Sequence, residues 1–138
     1  MINMMEKLDR SNAITILKDY IKTDLPKLDW FNQVKKDLKA IVFYGSTAKE
    51  LNRPDSDLDM LMFMPLEIET QYTKGEYLYT YQGREINLVI RSIERLRELG
   101  REQNDPFEAE IFRNCEILYE SDPECGDLIK RIVDCNKQ

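Results

Sequence analysis

The sequence of 138 residues contains no histidine. This absence excludes Ser-His-Asp and Cys-His catalysis, zinc sites with histidine ligands, and imidazole as a general base. If the chain is an enzyme, the catalytic groups that remain are carboxylates and a bound hard metal ion.

Cysteine is also scarce, and Cys115, Cys125 and Cys135 follow one another at intervals of ten residues. No pair has the close spacing of a zinc knuckle, and a disulfide framework normally has an even number of cysteines. We therefore expect three reduced, partly buried thiols.

Long apolar runs are missing as well. None approaches the roughly 20 residues that a membrane-spanning helix needs, and the N-terminal MINMMEKLDR is too polar for a secretory signal. We expect a cytoplasmic protein without a membrane partner. The formal net charge of −6 argues against broad binding to nucleic-acid backbones, which requires Lys and Arg. It is compatible with a small phosphorylated substrate bridged by Mg²⁺.

The hydrophobic periodicity that is present predicts an α+β fold, with a small mixed or antiparallel sheet flanked by helices. Ser11, Ser92 and Asp105 are predicted to cap helices, the last with Glu108 completing the capping pattern. Gly100 is predicted to end the helix that Ser92 begins. Residues 47–52 are predicted to form a helical turn, and Gly83 to supply a positive φ in a hairpin. The predicted helices cover 12–22, 30–36, 92–99 and the segments from 105 and from 122 onward, and the predicted strands cover 40–44, 58–64, 77–81, 85–90 and 117–119.

The length of the chain suits one domain with a single core. We expect this domain to cover 1–138, with a helical N-terminal segment 1–38 and C-terminal helices 92–138. The intervening core 39–91 carries the polar motifs that bear on function.

Two polar motifs interrupt the apolar pattern. Asp57 and Asp59 stand at the start of the apolar run LDMLMFM, where alternate strand residues share one face. A divalent cation would remove the repulsion between such carboxylates, and Mg²⁺ is typically held by one or two carboxylates plus substrate phosphates.

Gly45 and Ser46 follow the preceding strand, where a glycine backbone and a hydroxyl can contact an anion. Each motif alone is usually a turn or a solvated cluster, but their order along the chain is more specific.

The segment GSTAKELNRPDSDLDMLM resembles the signature of the polymerase-beta-type nucleotidyltransferase superfamily: Gly-Ser, a spacer, then Asp-x-Asp. The RPDSDLD ending and the short chain are most similar to the minimal nucleotidyltransferases of prokaryotes, and NCEILYESD resembles a segment near their C-termini. The resemblance implies the polymerase-beta-like nucleotidyltransferase fold, Mg²⁺ as cofactor with Asp57 and Asp59 as its ligands, and ATP or another nucleoside triphosphate near Gly45 and Ser46. Lys49 replaces an arginine that is frequent in the spacer, and it is either a phosphate contact or a solvated surface lysine.

The third acidic position of the family departs from its usual form. Members usually have an aspartate on a later strand, in a pattern such as Val-Asp-Leu-Val, and here the matching segment EINLV places Asn87 there. An amide oxygen can bind a metal ion, but it carries no charge and is a very poor base. Glu85 lies on the same strand face about 6.6 Å away, so a bulge or a shifted register would be needed for it to serve instead. Otherwise Glu85 is an exposed strand residue near a turn.

Three functions remain open on this sequence. The first is Mg²⁺-dependent transfer of AMP from ATP to a protein or small-molecule hydroxyl, with Asp57, Asp59 and either Asn87 or Glu85 at the catalytic centre. Small relatives often act as antitoxins beside a helical HEPN toxin, so the resemblance implies such a toxin as partner. The second is a catalytically degenerate module that binds a partner or a nucleotide. The third, less favoured, is an aminoglycoside-type adenylyltransferase, which usually carries a further helical domain.

Overall fold

The computed structural model describes residues 7–72, 77–102 and 105–136. Within these residues the chain alternates helices with strands in an α+β arrangement. The helices are α1 (Arg10–Thr23), α2 (Asp29–Val34), α3 (Leu66–Tyr72), α4 (Ile93–Glu102), α5 (Pro106–Phe112) and α6 (Glu124–Cys135). The strands are β1 (Ala40–Tyr44), β2 (Leu58–Met64), β3 (Leu78–Tyr81), β4 (Arg84–Ser92) and β5 (Glu116–Glu120).

The described strands form one mixed sheet in the order β3-β4-β2-β1-β5. β2 pairs with β4 in parallel, and the other neighbours are antiparallel. The expectation of a small mixed sheet flanked by helices is therefore confirmed. The parallel pair has a functional consequence, because it places the start of β2 beside the start of β4.

Helices cover both faces of the sheet because the strand residues alternate between two apolar clusters. One cluster joins Ile41, Phe43, Met60 and Met62 to side chains of α1, α2 and α3, among them Leu17, Phe31 and Ile68. The other joins Val42, Leu61 and Phe63 to side chains of α4, α5 and α6, among them Leu96, Phe112 and Ile129. Among the described residues, no helix combines the length and the apolar character that a membrane span requires.

Several sequence-based predictions of local structure are confirmed. β1 and β2 have the predicted bounds, and the hydroxyl of Ser92 accepts from the Arg95 N–H at the start of α4. The carboxylate of Asp105 likewise accepts from the Glu108 N–H at the start of α5. The hairpin between β3 and β4 has two residues in its turn, and Gln82 shares the positive φ that we predicted for Gly83 (51° and 75°).

Two predictions about helix ends were wrong, and a third, of a helical turn over 47–52, was right only in part. α1 begins before Ser11, and its cap is Asp9, whose carboxylate accepts from the Asn12 N–H at 2.7 Å. Gly100 lies inside α4, where a Cβ would stand 2.8 Å from the side chain of Leu128 on α6. It therefore permits close packing of two helices and does not end one. Residues 47–52 form hydrogen-bonded turns and no helix.

One helix, α3, was not predicted. It begins after Pro65 and buries a single apolar residue, Ile68, so it leaves no repeating apolar pattern in the sequence. The cysteines are all unpaired: Cys125 is buried, Cys115 is half-buried and Cys135 is exposed.

Candidate functional site

Asp59 lies at the centre of a polar row that crosses three strands. Its register partners are Tyr44 on β1 and Asn87 on β4. Directly paired residues share a face of the sheet, and the Asn87 Nδ2 donates to the Asp59 Oδ1 at 3.3 Å. The family register that we inferred from the sequence therefore places the amide of Asn87 against Asp59.

Gly45 directly follows β1 and lies against the Asp59 carboxylate of this row. It has a φ of +92°, a conformation that favours glycine, and a Cβ at this position would lie 2.3 Å from the Asp59 Oδ2. No side chain fits in that space. The backbone of the Gly-Ser motif therefore approaches the carboxylate directly.

The environment of Asp59 disfavours an unpaired negative charge. Burial raises the pKa of its carboxyl, the nearby Asp57 adds to the rise, and the hydrogen bond from Asn87 opposes it. Burial, together with the Asp59 charge, also raises the pKa of the neighbouring Tyr44 phenol to about 12. The site would therefore be stabilised by a positive charge at the carboxylates.

Asp57 and Glu85 each precede a residue of the polar row by two positions, Asp57 before Asp59 and Glu85 before Asn87. Asp57 immediately precedes β2 and Glu85 lies near the start of β4, and both line a shallow depression between the 53–57 turn and the hairpin turn. Glu85 is exposed and pairs with Thr80 on the edge strand. In this register Asn87, and not Glu85, lies beside Asp59.

The loop after β1 carries the predicted phosphate contacts. Ser46 is half-buried, and its carbonyl accepts from the Leu51 N–H at 2.8 Å. The Lys49 ammonium contacts a carboxylate oxygen of Glu110 on α5 at 2.9 Å, and the lysine side chain is only 19% exposed. Lys49 therefore links the loop to α5, and its contact with a phosphate stays a prediction.

A scan against protein-family profiles matches residues 27–124 to the family described as polymerase beta, nucleotidyltransferase. The match covers most of the chain and includes the whole polar row. The chain belongs to this nucleotidyltransferase family.

One solved structure supports the same fold for this nucleotidyltransferase chain. A nucleotidyltransferase-like protein from Exiguobacterium sibiricum 255-15 superposes with a TM-score of 0.55 at 11% identity, over 85% of this chain and 38% of that one. The chain thus spans well under half the length of that relative. A toxin–antitoxin structure with AMP-PNP matches at a TM-score of 0.40 and 12% identity, over 92% of this chain and 86% of that one. A search of curated protein sequences finds no match.

The donor set of this nucleotidyltransferase site fits Mg²⁺, although with reduced charge. Asp57 and Asp59 supply carboxylate oxygens and Asn87 supplies an amide, all of the hard oxygen type that Mg²⁺ prefers. Within the described parts of the chain, no three acidic, histidine or cysteine residues come together as a metal group. The position of a third carboxylate is filled by an amide that stabilises ionised Asp59 without adding charge.

Sequence reasoning missed Tyr44 and the contacts around α5. Tyr44 joins the row only because β1 and β2 pair in one register, and no motif signals that. Glu108 of α5 is 8% exposed and holds both Arg91 and Arg95, at 3.2 and 3.1 Å. Its acidic position in a capping pattern was visible in the sequence, but its long-range partners were not.

Proposed function

We propose that this chain is a Mg²⁺-dependent nucleotidyltransferase that transfers AMP from ATP to a hydroxyl of a protein. The observation that carries the proposal is the convergence of Gly45, Asp59 and Asn87 at one edge of the sheet, with Asp57 beside them. The approach of the Gly45 backbone to the Asp59 carboxylate is evidence beyond the motif, because the sequence match alone does not require it.

The residues would divide the reaction between them. Gly45, Ser46 and Lys49 would bind the phosphates, with Lys49 exchanging the carboxylate of Glu110 for a phosphate oxygen. Asp57 and Asp59 would hold Mg²⁺, which when bound neutralises phosphate charge and polarises the α-phosphate for attack. The acceptor oxygen bonds to the α-phosphorus, the bond to pyrophosphate breaks, and the acceptor proton is released.

Asn87 bears directly on the rate of that reaction. A neutral amide beside Asp59 cannot take the acceptor proton, and it contributes no charge toward a metal ion. The exposed Glu85 lines the same depression as Asp57, and Asn87, not Glu85, is the register partner of Asp59. We therefore propose that the wild-type chain transfers AMP slowly.

The partner implied by the motif resemblance is a helical HEPN toxin, with this chain as its antitoxin. That pairing would supply a protein hydroxyl as acceptor. It rests on the segment GSTAKELNRPDSDLDMLM, and it is an analogy at the level of the family.

A catalytically degenerate module is the second candidate, and the Asn87–Asp59 hydrogen bond favours it. In this function the amide compensates Asp59 in place of a metal ion, and the domain acts by binding a nucleotide or a partner. The two candidates differ in whether AMP becomes covalently attached to an acceptor.

Transfer of label from ATP carrying ³²P at the α-phosphate separates the candidates. The acceptors are a helical HEPN protein and, in a parallel reaction, an aminoglycoside. We expect slow Mg²⁺-dependent labelling of the protein by the wild type and faster labelling by Asn87→Asp, because the new carboxylate adds a ligand charge and a proton acceptor.

Glu85→Ala is the matched control, since it alters the neighbouring carboxylate on the same strand. We expect it to leave the rate nearly unchanged. If Glu85→Ala abolishes a robust wild-type activity and Asn87→Asp adds nothing, Glu85 is the third ligand. If neither variant labels any acceptor, the transferase proposal fails and the binding module is the better account.

A further inference from the structure

The loop after β1 is contacted at three points by the chain segment 7–10. The Lys7 Nζ donates to the Glu50 carbonyl at 2.9 Å, and the Arg10 Nε donates to the Ala48 carbonyl at 3.1 Å. The Asn52 Nδ2 donates back to the carbonyl of residue 8 at 2.9 Å. The segment at the start of α1 therefore follows the loop along its length.

Arg10 extends this contact to a second part of the molecule. Its Nη2 donates to the carbonyls of Asn114 and Cys115 at 3.1 and 3.4 Å, and contacts the carboxylate of Glu116 at 3.3 Å. Glu116 opens β5 and is the register partner of Phe43 on β1. One guanidinium thus ties the loop that follows β1 to the strand that pairs with β1.

The loop needs such support because its backbone is not in a relaxed conformation. Glu50 has a φ of +60°, which is uncommon for a residue other than glycine. Strained conformations of this kind persist where the surrounding structure holds them, and they cluster at functional sites. The turn hydrogen bond from the Leu51 N–H to the Ser46 carbonyl depends on that conformation, because Leu51 directly follows Glu50.

We propose that Arg10 is a positioning residue for the phosphate-binding loop, although it lies outside the Gly-Ser and Asp-x-Asp motifs. By fixing the Ala48 carbonyl, it holds Gly45 and Ser46 in place against Asp59, ready for the triphosphate of a nucleotide. The ligand class rests on the proposed function. The claim that Arg10 holds the loop in place does not rest on the proposed function, because the contacts of Arg10 are made within the protein itself.

The variants Arg10→Ala, Arg10→Lys and Asp9→Ala test this role. Arg10→Lys keeps the positive charge but has a single ammonium in place of donors directed to separate acceptors. Asp9→Ala is the control for a general loss of stability. It removes the carboxylate that caps α1 by accepting from Asn12 and should lower the melting temperature, while the donors of Lys7 and Arg10 to the loop are kept. Two quantities are measured on the full-length protein, amide hydrogen exchange at Lys49 and Leu51, and affinity for ATP with Mg²⁺.

We expect both Arg10 variants to accelerate exchange at Lys49 and Leu51 and to weaken ATP binding about fivefold to tenfold, as the loss of charge-assisted hydrogen bonds would. Asp9→Ala should leave both quantities near the wild-type values. Two results would overturn the inference: unchanged loop exchange in Arg10→Ala, or an equal loss of affinity in Asp9→Ala. Full ATP affinity in Arg10→Lys would instead assign the effect to charge and would also overturn it. If wild-type protein binds no ATP, the proposed function fails, and the exchange data alone decide whether Arg10 holds the loop.

Discussion

The two faces of the sheet are built from the same strands but differ in polarity at one end. The face toward α1, α2 and α3 is apolar along β1 and β2, with Ile41, Phe43, Met60 and Met62 all fully buried. The face toward α4, α5 and α6 is apolar only in its middle, and at the loop end the row of Tyr44, Asp59 and Asn87 replaces it. The candidate functional residues are therefore concentrated where the apolar pattern of one face stops.

The comparison also separates two kinds of contribution to the molecule. The first face stabilises the fold, since each side chain there removes apolar surface from water. The polar row works against stability in isolation, because Asp59 is partly buried beside a second carboxylate and its pKa is raised. A ligand that brings positive charge would reverse that effect.

The largest effect on stability is expected on the apolar face. Phe43→Ala removes a fully buried ring and should lower the free energy of unfolding by about 3–5 kcal/mol. Phe107→Ala is the control with the same chemistry, because Phe107 is 80% exposed on α5; it should change stability by less than about 0.5 kcal/mol. Urea denaturation measures both. Similar losses for the two variants would contradict the assignment of the core.

A smaller effect is expected at the phosphate loop. Ser46→Ala removes a hydroxyl whose bond to a charged phosphate would contribute about 1.5–3 kcal/mol, so ATP affinity should fall roughly tenfold or more. Ser121→Ala serves as control, because the Ser121 hydroxyl donates to the Lys39 carbonyl just before β1, at the opposite end of that strand. Calorimetry of ATP binding decides the matter. A loss of less than about twofold would reduce Ser46 to a turn residue.

The smallest effect is a change of pH dependence at Asp59. Because the pKa of this carboxyl is raised in the folded protein, the folded state holds the proton more tightly than the unfolded state does. The contribution of Asp59 to stability is thus greatest below the usual aspartate value of about 3.9, and it is lost as the pH rises through the raised folded value. Asp59→Asn should remove that loss and raise the melting temperature at neutral pH without Mg²⁺. Melting curves across the acidic range would show it, and a variant less stable than wild type at neutral pH would contradict the account.

Much of the fold could be predicted from the sequence, because apolar periodicity and turn residues act locally. The bounds of β1 and β2 followed from such patterns, as did the cap at Ser92. Long-range packing could not be predicted in the same way. Gly100 reads as a helix stop in the sequence, and only the approach of Leu128 from α6 shows that it is a packing residue.

The candidate site likewise contains some features that the sequence predicts and others that depend on long-range contacts. The motif alignment already placed Asn87 on the same face as Asp59, whereas the approach of Gly45 to Asp59 and the contacts that hold the loop did not follow from the sequence. Arg10 and Lys49 reach partners 106 and 61 positions away in the sequence. Nothing local in the chain encodes those pairs, since they arise when β5 and α5 close over the loop.

The central claim is that Asp57 and Asp59 jointly hold Mg²⁺ for a bound nucleotide. Titration calorimetry of ATP with and without Mg²⁺ tests it most directly, comparing wild type with the Asp57→Asn/Asp59→Asn double variant. The control is Asp29→Asn/Asp127→Asn, which removes the same charge from exposed positions on α2 and α6. We predict that Mg²⁺-dependent binding disappears in the first double variant, which remains folded, and persists in the second. Unchanged Mg²⁺-dependent binding in the Asp57→Asn/Asp59→Asn variant would contradict the account.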